Sequence, residues 1–299
     1  MTHHSALPKR PFLFNRQLSS LRQVQQGVTL VELIVVMLLL GILATGLTSY
    51  LRIGASMYVD GTVVQQTLQQ SRFALERVVR ELRGAVPNSL RVLNNADNSI
   101  SCVEFTPLVQ SGIYRDLPLF PTRRNWIGIT TINTGWTTQA GQRLSVYPTD
   151  PSHIYDVNQA RTGVVAALQN APDDADNNAH TRRVTLDDVS GQTMTFITES
   201  PQQRFYILAS PVSFCLVGQQ LRRYSGYGFS VAQQLPPPVG AGEVIANGLT
   251  NQSGEPAFLL NAAVLNRNAV LHLFWRFSPA QDVGQDLFFN HEVHIPNVP

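Results

Sequence analysis

The chain has 299 residues, 43% of them hydrophobic and only 14% charged, which allows one anchor plus one substantial globular domain with its own core. Its formal net charge of +2 is misplaced evidence for a polyanionic partner, because residues 1–27 hold Lys9, Arg10, Arg16 and Arg22 and no acid. Without them residues 28–299 carry −2, so a nucleic-acid partner is not expected.

The basic leader stops at Gly27 and is followed by Val28-Thr29-Leu30-Val31-Glu32-Leu33, then by an uncharged run from Leu33 to Leu51. At about 1.5 Å per residue that run can cross a hydrocarbon core of about 30 Å, and the positive leader favours a cytoplasmic N-terminus. Glu32 needs a reason: a charge in a membrane helix costs roughly 2.5–3.5 kcal/mol, while each Leu or Val returns only a few tenths. A cut after Gly27 supplies a partner, since it creates an ammonium on Val28 one helical turn before the carboxylate. In a packed bundle, the ammonium of one copy neutralises the Glu32 of the next. An ordinary secretory signal with a cut near Ala44-Thr45-Gly46 fits poorly, because Glu32 would lie inside its apolar core. A plain signal anchor explains the apolar run and leaves the Gly27 to Glu32 spacing unexplained.

No proline interrupts the chain from Val28 to Gly84. Beyond the apolar run, Val64, Leu68, Leu75, Val78, Val79 and Leu82 recur at helical spacing, with Arg72, Glu76, Arg77, Arg80, Glu81 and Arg83 mainly on the other side. The pairs Arg72/Glu76, Glu76/Arg80 and Arg77/Glu81 are four apart and support an exposed face. The expectation is one long helix, ended by Gly84 and Pro87. Gly41, Gly46, Gly54 and Gly61 allow the helix to bend or its neighbours to approach closely.

After Pro87 the pattern turns to short β-favouring runs: Ser99 to Thr106, Trp126 to Ile132, Arg143 to Tyr147, Arg183 to Leu186 and Thr193 to Thr198. Phe205 to Leu208 leads into Val212 to Val217, a Gly218-Gln219 turn and Gln220 to Tyr224, which reads as a hairpin. Leu271, Leu273, Trp275 and Phe277 alternate with His272, Phe274 and Arg276, the pattern of a strand with one buried face. Asp286 to Ile295 is its expected returning partner. Asn170 to His180 and Pro236 to Gly254 are the expected long loops.

Taken together, Gly27-Val28-Thr29-Leu30-Val31-Glu32 and the apolar run resemble the class III signal of type IV prepilins and type II secretion pseudopilins, with Val28 where those families usually have Phe. The resemblance implies cleavage between Gly27 and Val28 by a membrane aspartyl peptidase, methylation of the Val28 amino group, and an assembly role for Glu32. It also implies an α+β, type IV pilin-like fold in three parts. These are a cleaved leader (1–27), a stem helix whose first half is transmembrane (28–84), and a β-rich head (85–299) built on an antiparallel sheet. The segments Pro211 to Tyr224 and Val244 to Leu249, with the closing strands, are similar to the large minor pilins and J-type pseudopilins. The tail from His291 to Pro299 and the overall size resemble the minor pilins of mannose-sensitive haemagglutinin (MSHA) pili.

Membership of that group implies a single-pass inner-membrane protein with a periplasmic head, later part of a pilus tip or filament. Its implied partners are other minor and major pilins through the stem, the prepilin peptidase and the inner-membrane assembly platform. A J-like pseudopilin and a tip-exposed glycan- or calcium-binding adhesin remain open alternatives. A membrane-anchored enzyme fits least, because no nucleophile elbow, P-loop or dinucleotide fingerprint occurs, and no cofactor is expected.

Cys102 and Cys215 are the only cysteines. In an oxidising compartment an even pair suggests a disulfide, with two buried thiols as the alternative. No metal site is expected. Asp174, Asp176, Asn177 and Asn178 resemble the start of a calcium loop but are followed by Ala179 where the turn needs glycine, and Thr185 stands where a bidentate Glu belongs. His291 and His294 lie three apart in a strand and so point to opposite faces. Arg123-Arg124-Asn125-Trp126 and Arg222-Arg223-Tyr224 read as ordinary edge and loop residues.

Overall fold

The computed structural model describes residues 27–170, 180–187, 193–264, 267–279 and 286–296. The chain divides into two units, residues 1–57 and 58–299. A single helix, α1 (Leu30–Arg83), runs through both. Within the first unit its Leu, Ile, Val and Met side chains are exposed, and its best 18-residue window has a mean hydropathy of 2.6, long and apolar enough to cross a membrane. Gly84 and Ala85 donate to the carbonyls of Glu81 and Leu82, closing the last turn where the sequence predicts the stop.

In the second unit α1 packs on β-structure. The strands are β1 (Arg91–Asn94), β2 (Ile100–Phe105), β3 (Leu108–Asp116), β4 (Trp126–Thr131), β5 (Arg143–Val146), β6 (Thr162–Asn170) and β7 (Thr181–Asp187). They continue with β8 (Arg204–Leu208), β9 (Val212–Val217), β10 (Gln220–Tyr224), β11 (Glu243–Asn247), β12 (Phe258–Asn261), β13 (Ala269–Phe277) and β14 (Leu287–Ile295). A one-turn helix, α2 (Ser152–Tyr155), lies between β5 and β6. Three antiparallel assemblies result: a five-stranded sheet in the order β1-β2-β9-β10-β11, a three-stranded sheet β12-β13-β14, and a closed barrel β3-β4-β7-β6-β5-β8. The helix followed by antiparallel sheet agrees with the expected α+β class.

The main core gathers α1 and the inward faces of both open sheets. Val103 and Phe105 of β2, Phe214 and Leu216 of β9, and Leu271, Leu273, Trp275 and Phe277 of β13 meet Ala74, Val78, Val79 and Leu82 of α1. Ser71 and Ala74 are fully buried in the helix face. These small side chains let the helix backbone come close to the sheet, so the seam lies off the centre of the stripe that hydrophobicity alone marks. Val64, Leu68 and Leu75 are only half-buried.

Charges line the margin of this seam, and here the structure corrects the sequence. Arg77 and Glu81 form the expected pair at 3.4 Å, but they do not belong to the exposed face. Arg77 makes a bidentate pair with Glu243 of β11 at 2.9 Å, and Glu81 accepts from Arg223 of β10 at 2.9 Å. Guanidinium forks match carboxylates in this way, and the pairs tie helix to sheet edge.

The opposite face of the five-stranded sheet carries Cys102 and Cys215. They are cross-strand partners of β2 and β9 and form a disulfide with the Cα atoms 4.1 Å apart. Tyr224, Tyr227, Leu235 and Val239 pack around it. Beside it Glu104, only 2% exposed, pairs with its β1 cross-strand neighbour Arg91 at 2.6 Å. Arg91 also donates to the carbonyls of Ser230 and Val231 and stacks on Tyr155. Burial first, and the Glu104 carboxylate second, hold the Tyr155 and Tyr227 hydroxyls well above the usual phenol range, so both remain protonated. Tyr155 accordingly donates to the Ser89 carbonyl.

The barrel is inserted between β2 and β9. Its interior holds Ile127, Ile129, Leu144, Val184, Leu186, Phe196, Phe205 and Ile207. Gly112 of β3 lies where an added Cβ would collide with the Thr130 carbonyl and the Phe205 ring, so the wall can close only with glycine there. The expected strand from Thr193 to Thr198 is absent; Met194 and Phe196 make isolated bridges while their side chains close the barrel core. The expected loop from Pro236 to Gly254 is also corrected. It starts earlier, after Tyr224, and is interrupted by β11.

Replacing both cysteines by alanine should lower the stability of the head by about 2–5 kcal/mol, read from urea unfolding, because 113 residues separate the bridged positions. Ala74→Leu should cost about 1–3 kcal/mol through overpacking, whereas Phe73→Leu, on the exposed side of α1, should change the unfolding midpoint little.

Candidate assembly signal

Gly27, Val28 and Thr29 precede the helix in non-helical backbone, and α1 begins at Leu30. Thr29 is the N-cap: its Oγ1 accepts from the Glu32 amide at 3.2 Å and its carbonyl accepts from the Leu33 amide at 3.1 Å. Thr29-x-x-Glu32 is therefore a capping-box spacing, a signal open to sequence reading and missed by it. Among the described residues only the threonine half of the box is made.

This places Glu32 in the first turn, where the partial positive charge of the helix N-terminus favours an acid by about 0.3–1 kcal/mol. The dipole offsets only part of the 2.5–3.5 kcal/mol cost of a membrane carboxylate, and the rest still calls for a counter-charge.

Among the described residues, a Cβ added to Gly27 would meet nothing within 4 Å, so none of them requires a glycine there. Gly41, Gly46, Gly54 and Gly61 likewise have open space around them. Val28, at 70% exposure, and the apolar side chains of residues 30–59 form one uncovered surface.

The remaining expected site residues separate. His291 and His294 fall on opposite faces of β14, His294 lying 3.9 Å from Glu292, which also approaches His272 at 3.3 Å. No metal-holding group of three or more ligands occurs among the described residues. Arg124 pairs with Asp116 at 2.7 Å and, like Arg183, stacks on Trp126. Arg222 bonds to Gln220 and the Ala241 carbonyl, and Arg223 belongs to the helix seam. Asp174, Asp176, Asn177, Asn178 and the leader cations Lys9, Arg10, Arg16 and Arg22 lie outside the described residues.

Residues 22–48 match the family described as the prokaryotic N-terminal methylation motif. Searches of curated proteins and of solved structures return no match. The matched motif indicates a type IV pilin-like or pseudopilin-like protein and suggests prepilin-peptidase processing and association with pilus components. The motif and the apolar helix are together compatible with membrane anchoring.

Thr29→Val removes the cap acceptor and should cost the first turn about 1 kcal/mol. Faster amide exchange at Val31, Glu32 and Leu33 in detergent micelles, with unchanged exchange near Val78, is the expected result.

Proposed function

We propose that this chain is a minor pilin, most like MshO of the MSHA system and related to PilW, that acts in initiation or tip assembly of a type IV pilus. The prepilin peptidase cuts between Gly27 and Val28 and methylates Val28. The subunit then joins a helical filament through the apolar stem, drawn from the inner membrane by an assembly platform with a cytoplasmic ATPase. The reading rests on one observation: a glycine that no described residue requires stands five residues before a carboxylate, at the mouth of an exposed apolar helix.

Glu32 has a defined role in this scheme. The ammonium of Val28 on one subunit neutralises the carboxylate of its neighbour, which restores the balance that burial among apolar helices would otherwise upset. A subunit with an ionised Glu32 therefore has another subunit above it, so this one does not occupy the topmost position.

Intact mass and N-terminal sequence of the protein from membranes with and without the prepilin peptidase test the first step. A chain starting at methylated Val28, seen only with the peptidase, is expected; a terminus near Gly46, or an uncut chain in both strains, would overturn the proposal. Glu32→Ala should still insert but enter filaments at least about tenfold less well, the equivalent of 1.4 kcal/mol. Rescue of protein secretion rather than piliation by the wild-type chain would reassign it to the J-like pseudopilins.

A further inference from the structure

In the second unit the disulfide lies under a long connection. Residues 225–242 leave the end of β10, pass over the sheet face that carries Cys102 and Cys215, and return at the start of β11. Arg223 and Glu243 are cross-strand partners, so the connection starts and finishes at one place, as an Ω-loop does. Both cysteines are fully buried, with Tyr227, Leu235 and Val239 of the connection packed around them. Thiol exchange requires direct attack on a sulfur, so no thiol reaches the bridge while the connection is in place.

Little holds the connection down. Among the described residues its one backbone–backbone hydrogen bond is internal, from the Val239 amide to the Pro237 carbonyl. Only Tyr227 and Pro237 of it are buried. Its other ties come from side chains. Arg91 donates to the Ser230 and Val231 carbonyls, Gln233 donates to the Cys102 carbonyl at 3.2 Å, and Tyr227 shares a hydrogen bond with Ser213. The Phe229 ring lies 6.1 Å from that of Tyr155 and 3.9 Å from the Arg143 guanidinium. Near its two ends Gly226 and Gly240 have positive φ and open space around them, which suits them as hinges. A segment with so few buried contacts and backbone bonds opens for a fraction of the free energy of global unfolding.

We propose that residues 225–242 are a lid that opens while the sheet and barrel stay folded, making Cys102–Cys215 a site of thiol–disulfide exchange with a dithiol. One thiolate of the dithiol attacks a sulfur of the bridge, the S–S bond breaks, and the other cysteine leaves as a thiolate. The second thiol then displaces the remaining cysteine. The protein gains two thiols and the dithiol closes to a cyclic disulfide, so two electrons pass from one to the other. Because β2 and β9 carry the two ends of the barrel, reduction leaves the barrel joined to its host by hydrogen bonds and packing alone. The lid also registers how the barrel is seated. Arg91 belongs to β1 of the host, whereas Tyr155 and Arg143 belong to the barrel side, so its latch is complete only when the two are together.

The test uses the full chain in detergent, with dithiothreitol as the dithiol and iodoacetamide to trap the thiols released, counted by intact mass. Reduction of the wild-type protein is timed at several urea concentrations below the unfolding transition. Its logarithmic rate should rise with urea at about half the slope of global unfolding or less, because opening the lid exposes little surface. The double variant Phe229→Ala/Gln233→Ala, which removes two ties of the lid, should be reduced at least about tenfold faster with the shallow slope retained. Leu259→Ala, an exposed change on β12, should leave the rate as it is. The full global slope in either protein would mean that the bridge reacts only after the head unfolds, and that result, or an unchanged rate in the double variant, defeats the proposal.

Discussion

One unbroken helix has to satisfy two environments, and the rest of the chain is arranged around that demand. Over its first half α1 presents apolar side chains on every side, which only lipid or other apolar helices can cover. Over its second half it instead packs on β-structure along one narrow face. The change is made by composition rather than by a break. Small buried residues, Ser71 and Ala74, begin the docking face, and Val78, Val79 and Leu82 complete it.

Around that face polar groups fix what hydrophobic burial alone leaves free. Apolar contact is indifferent to a small slide or rotation of the helix, whereas the Arg77–Glu243 fork and the Arg223 Nε–Glu81 pair are not, because each requires a matched geometry. The pairs are partly exposed and so add little net stability; their contribution is register. On the other side of the sheet the Cys102–Cys215 bridge and the buried Arg91–Glu104 pair hold the central strands and the long loop that covers them. The sheet is thus pinned on both faces.

Legibility in the sequence followed the strength of the local signal. The apolar run, the stop at Gly84, the β9–β10 hairpin and the β13–β14 pair were readable because each combines a strict period with clear turn residues. Of the barrel, β4, β5, β7 and β8 are legible as β-favouring runs, but its closure is not: β3 carries a buried Gln110 bonded to Thr131 and the glycine at 112, so its inward positions do not look apolar. Outside the barrel, β1 and β12 have only four residues each. Ser71 and Ala74 escaped a reading that ranks positions by hydrophobicity. The i,i+4 spacing of Arg77 and Glu81 is blind to their partners Glu243 and Arg223 on other strands. At the assembly signal the charge of Glu32 stands out in an apolar run, while the cap by which Thr29 fixes the start of the helix has no such contrast to mark it.

The barrel enters and leaves the fold through one doorway. Pro107 and Ala209 are hydrogen-bonded to each other, and just inside them β2 and β9 are paired and covalently joined. An insertion whose two ends already touch puts no strain on its host, whatever its size. The hundred or so residues between those ends touch their host at a second place, where Tyr155 bonds to the Ser89 carbonyl and lies under Arg91. Loops of the barrel away from that contact can change length without reaching the surface that receives α1.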